Sequence, residues 1–169
     1  MDTEVIVGIF TLAGVALGAS LDYLFSERSR RRERIDIAKE ETMDAVNEIT
    51  IPLVGFSCHL RELKKASTQA KEKEEFENLL EIAGKERRCI MDLYKAYDKM
   101  SRYIKKGEPI HKHFSRLFEE NYRFLDLATK FVMEYPKSKN SQLSEQLKNQ
   151  MASLLKIRDE AFTALRGSR

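Results

Sequence analysis

Turn-forming and reactive residues are scarce in this sequence, which has 7 glycines, 3 prolines, 2 cysteines and no tryptophan among 169 residues. So few turn formers exclude a sheet protein with many tight connections, and 34% charged residues suit long amphipathic helices. The fold class is therefore all-α, and the length fits one domain plus an appendage. Cys58 and Cys89 belong to no CxxC or Cys/His pattern, the usage expected of buried thiols in a reducing compartment. The glycines lie mainly in the N-terminal apolar run and at helix ends, which leaves no Walker or dinucleotide-binding loop.

Histidine is limited to His59, His111 and His113. A di-metal carboxylate site in a helical bundle needs two Glu-x-x-His motifs, whereas this chain has one, Glu108 to His111, at a helix start. His111 and His113 are two apart and point in different directions on a helix, as surface histidines at a helix N-terminus do. Cys58 and His59 are adjacent, so a helix does not turn them toward each other, and no GxSxG-type elbow is present. The sequence thus predicts no catalytic residue, no metal and no cofactor. An excess of one charge is missing as well: 30 basic against 27 acidic residues leave a net +3, and Glu27 and Glu33 interrupt the one basic run. No nucleic acid is expected as a partner.

What the chain does have is an apolar N-terminus. Val5 to Leu21 carries no charge for seventeen residues, nine of them Val, Ile, Leu or Phe, and Tyr23, Leu24 and Phe25 follow a single Asp22. As a helix, Val5 to Phe25 covers roughly 31 Å, close to the hydrocarbon thickness of a bilayer. Two acids precede this stretch, whereas Arg28, Arg30, Arg31, Arg32 and Arg34 follow it. Basic flanks stay cytoplasmic, so the expected topology is a single-pass span in the cell (inner or plasma) membrane, N-terminus out and C-terminal domain in. A cleaved signal peptide needs its positive charge before the apolar region rather than after it. A buried core helix is the other reading of an uncharged run at the lower end of the spanning range. The basic run also suits contact with anionic headgroups, although topology alone accounts for it. Gly14 and Gly18 form a GxxxG, the spacing that lets two membrane helices approach closely, and point to a homodimer or homo-oligomer.

Beyond the arginines, Val46, Ile49, Leu53, Phe56, Leu60 and Leu63 alternate spacings of three and four, which predicts a helix to about Ala66 with a kink or break just before Pro52. A second helix after Ser67 and Thr68 carries Phe76, Leu79, Ala83, Ile90, Leu93, Tyr97, Met100 and Ile104 in one heptad register, which only Glu86 breaks. Lys105, Lys106 and Gly107 read as its end and Pro109 as the first residue of the next helix. That third helix has a broad apolar face from Ile110 to Val132 and is expected to end at Pro136. Asn140 or Ser141 would cap a fourth helix that runs toward Gly167.

The predicted organisation is a short outer N-terminus (1–4), a transmembrane helix (5–25), a basic juxtamembrane helix (26–45) and a cytoplasmic bundle (46–169). Short connections predict a three- or four-helix antiparallel bundle, with an elongated coiled-coil dimer as the alternative. The function expected is that of a membrane-anchored interaction or scaffold protein that self-associates or recruits a protein partner beside the bilayer. The alternatives are a membrane-tethered regulatory or sensory bundle that binds a small ligand among its aromatic residues, or an accessory subunit of a larger membrane complex.

Overall fold

Each apolar stripe read from the sequence becomes the buried seam of a helix. The computed structural model describes the backbone of residues 3–138 and 141–167 and the side chains of residues 15–135 and 142–167. Five helices follow in order: α1 (Thr3–Glu48), α2 (Thr50–Lys65), α3 (Gln69–Ser101), α4 (Pro109–Ser138) and α5 (Ser141–Gly167). No strand occurs among the described residues. The chain divides into two units, residues 1–37 and 38–169.

In the second unit the end of α1 and α2 act as one bent helix. Only Ile49 separates them, and its own backbone is helical, with φ −59° and ψ −29°. The break lies three residues before Pro52, and the reason is local: a proline at 52 has no N–H to give the carbonyl of Glu48, so the helical ladder lapses where that bond belongs. Leu53 restores it by donating to the carbonyl of Ile49 at 3.4 Å. The seam is unbroken across the bend, because Val46, Ile49, Leu53, Phe56, Leu60 and Leu63 are all buried.

Thr68 caps α3. Its extended backbone turns the hydroxyl to accept from the Lys71 N–H at 3.3 Å. The far end of α3 comes at Ser101, before the Lys105–Gly107 stretch, through short-range bonds from Tyr103 N–H to the Met100 carbonyl and Ile104 N–H to the Ser101 carbonyl. Gly107 then reverses the chain at φ 94°, a conformation that disfavours any side chain, and Pro109 opens α4. At its other end α4 continues past Pro136 to Ser138, further than expected. A proline within the final turn forfeits a single ladder bond, so it limits the helix to a short continuation. α5 begins at Ser141; the capping role expected of Asn140 or Ser141 lies outside the described residues.

The helices pack in antiparallel order within the chain, which makes a four-helix bundle. Residue levels show the alternation: α2 meets α3 at His59 with Glu75, α3 meets α4 at Tyr97 with Phe114 and at Phe76 with Tyr135, and α4 meets α5 at Arg116 with Glu160. Lys99 of α3 reaches Glu41 of α1 at 3.0 Å. One core runs the length of the bundle, and its largest fully buried side chains include Phe56, Phe114, Phe124 and Phe131. Phe56 of α2 and Phe124 of α4 meet edge to face across it, with centroids 5.3 Å apart. The extensive contacts are α2 with α3 and α4 with α5; α3 with α4 and α2 with α5 meet over far less surface. The bundle is thus two helical hairpins laid side by side.

Candidate interaction surfaces

Along the first unit, Val15, Leu17, Leu21, Tyr23, Leu24 and Phe25 are all more than half exposed. The hydroxyl of Ser20 is satisfied within the helix, donating to the Ala16 carbonyl at 2.7 Å, as hydroxyls in apolar surroundings usually are. Among the described residues no helix is long and apolar enough to cross a membrane. Residues 5–14 of the expected span, Gly14 of the GxxxG included, have side chains outside the described residues. Gly18 is described: a methyl group added there would meet nothing within 4 Å, so its face of the helix is open. Arg28, Arg30, Arg31, Arg32 and Arg34 are all exposed. At about 100° per residue they point to most sides of the helix, so they form a collar rather than a stripe.

The second surface is where α3 and α4 meet. Tyr97 stacks on Phe114 at 4.3 Å, and Phe118 closes against Tyr94, Tyr97 and Phe114 at 5.5 to 6.2 Å. These rings fill the space between the two helices with one another. His111 is tied into the same cluster: the Tyr97 hydroxyl donates to Nδ1 at 2.6 Å and Nε2–H donates to the Lys105 carbonyl at 3.2 Å. Burial pushes the Tyr97 hydroxyl up, away from ionisation. His111 therefore braces the α3–α4 turn instead of standing free on the surface. Further along the seam an open groove of about 500 Å³ is lined by Gly84, Ile90, Met91, Tyr122 and Leu125 among others, with Arg87 and Asp126 at its rim. Met91 and Tyr122 of this lining, and Tyr94 of the ring cluster, are about half exposed.

Several buried polar atoms of the bundle have no hydrogen-bond partner. Glu86 is fully buried and neither of its carboxyl oxygens finds a hydrogen bond. Burial alone pushes its carboxyl up from 4.5 to about 8, so it is held neutral at ordinary pH. Asn121, on the core face of α4, gives its amide N–H to the Leu117 carbonyl at 3.0 Å but leaves its own oxygen unpaired. Ser144 on α5 has an unpaired hydroxyl, and the guanidinium of Arg158 binds the Thr50 hydroxyl of α2 while its Nε stays unpaired. The interruption of the heptad stripe at Glu86 was visible in the sequence. That the helix keeps its register and buries the carboxyl was not, because periodicity reports which face a residue lies on and not what covers it.

The cysteines differ from expectation in one respect. Cys58 is exposed, in a shallow groove between α2 and α5, and Cys89 is partly buried. Burial raises the Cys89 thiol first, with Glu86, Glu48 and Asp92 adding to it, so it is a poor nucleophile. Among the described residues no group of three or more His, Cys, Asp or Glu could hold a metal ion. Comparison with known proteins gives no match to a protein family, a curated protein or a solved structure.

Proposed function

We propose that this protein is a membrane-anchored helical scaffold whose bundle self-associates, or recruits a protein partner, at the inner membrane surface. The observation that carries this reading is the row of apolar side chains from Val15 to Phe25, exposed along one helix and followed at once by the arginine collar. Water solvates such a row poorly, whereas lipid or a second helix covers it, and the collar suits an anionic headgroup layer on the cytoplasmic side. The open face at Gly18 supports close approach of a second copy. On the bundle, Met91, Tyr94 and Tyr122 supply the aromatic and methionine character typical of contact surfaces. Because the aromatic rings of α3 and α4 pack on each other, a scaffold is favoured over a bundle that opens a core pocket to a ligand.

The test is the mass of the full-length chain in detergent micelles, read by sedimentation, together with photo-crosslinking in membranes from position 122. A dimer or larger oligomer that Gly18→Leu returns to monomer supports the reading. A monomer that yields no crosslinked product in membranes contradicts it.

A further inference from the structure

We propose that the seam between the α2–α3 hairpin and the α4–α5 hairpin is a latch, closed while the Glu86 carboxyl is neutral and released when it loses its proton. The geometry comes first. The two hairpins are internally well packed but touch each other over less surface, and a groove already opens the α3–α4 side. The core that the two hairpins share holds Glu86 from one of them and Asn121 and Ser144 from the other, each with an unpaired buried oxygen. Apolar residues at those positions would bind the hairpins more tightly, so the junction is the weak plane of the bundle.

The charged groups around Glu86 do not relieve it. On α3, Arg87 and Arg88 are exposed to solvent, and Asp92 is paired with Lys95 at 2.9 Å. Glu48 of α1 carries the same sign. Asp126 of α4 is paired with Lys130 at 2.8 Å and Arg123 with Glu120 at 2.7 Å. Arg158 of α5 is committed to Thr50 of α2 and to Asp159. None of these contributes to the shift of Glu86, which comes from desolvation alone. An ionised Glu86 therefore has no compensation in the closed bundle and gains water only if the seam parts. The proton goes to solvent, and the carboxylate becomes hydrated in the opened state.

The experiment uses the full-length chain with Cys58→Ser and two thiol reporters, one at a time. The first is Ala128→Cys, a small change at a fully buried α4 position, in a chain that also carries Cys89→Ser. The second is native Cys89, in the α2–α3 hairpin. Labelling rates are compared at pH 6 and pH 9 with and without Glu86→Gln and are expressed per thiolate, the thiolate fraction of each reporter being titrated separately in each variant because Glu86 itself raises the Cys89 thiol. The latch predicts that the ratio of α4-reporter labelling with Glu86 to that with Gln rises by roughly a hundredfold between pH 6 and pH 9, about tenfold for each pH unit up to about 8. Cys89 should change much less. A ratio that stays constant between pH 6 and pH 9 overturns the proposal, and so does an equal rise at both reporters, which would mean loosening of the whole bundle. Should Ala128→Cys fail to fold, amide hydrogen exchange along α3 and α4 in the otherwise native chain, again with and without Glu86→Gln at matched pH, replaces it.

Discussion

At the scale of single residues, Glu86 dominates. Its carboxyl sits near 8 in the folded bundle against an ordinary 4.5, so folding favours the protonated form. The stability tied to that proton is complete below about pH 4.5 and is lost as pH rises through about 8. We expect denaturant melts of the native chain to weaken steadily between pH 6 and pH 9, and Glu86→Gln to flatten most of that slope. Glu86→Leu, which also removes the unpaired oxygens, should stabilise the bundle at pH 9 by on the order of a few kcal/mol, and by less at pH 6. At the opposite extreme, Phe56 and Phe124 are fully buried and in mutual contact. Either change to alanine should cost about 3–5 kcal/mol in the same melts, and the double change less than the sum of the two, since they share one contact.

At the scale of elements, close approach between α2 and α3 depends on Gly55. A methyl group there would lie 3.3 Å from Cδ1 of Ile82, near the flexible end of that side chain. Gly55→Ala should therefore be tolerated, whereas Gly55→Leu should push the helices apart and cost about 1–3 kcal/mol, read as a drop in the melting midpoint. The elements are also where the sequence was most legible. The three-and-four spacing from Val46 to Leu63, the heptad register of α3 and the apolar face of α4 lie along the core, and Thr68 and Pro109 open helices as their backbone chemistry requires, whereas α3 ends at Ser101, short of the expected stop at Lys105 to Gly107. Two further boundaries were displaced, both beside a proline. A proline disturbs the hydrogen bond four residues before itself, so Pro52 breaks the helix at Ile49 and Pro136 permits a short continuation of α4. Less legible were tertiary contacts between distant elements: the Tyr97–His111 pair, the buried amide of Asn121 and the exposure of Cys58 all depend on which helix packs against which.

For the whole molecule, the account joins an apolar, arginine-collared helix to a bundle that carries an exposed aromatic and methionine face. The bundle could be recognised in the sequence as a set of amphipathic helices with short connections. Its division into two hairpins could not, since that depends on how much surface each pair of helices shares. The central claim is the anchor, because it sets where the bundle meets its partners. The measurement that tests it most directly is fractionation of cells expressing the full-length chain, with carbonate extraction and protease treatment of sealed inside-in vesicles. The account predicts a carbonate-resistant membrane protein whose domain beyond Arg34 is protected until the vesicles are opened. A chain released by carbonate, or a domain digested in intact vesicles, would contradict it.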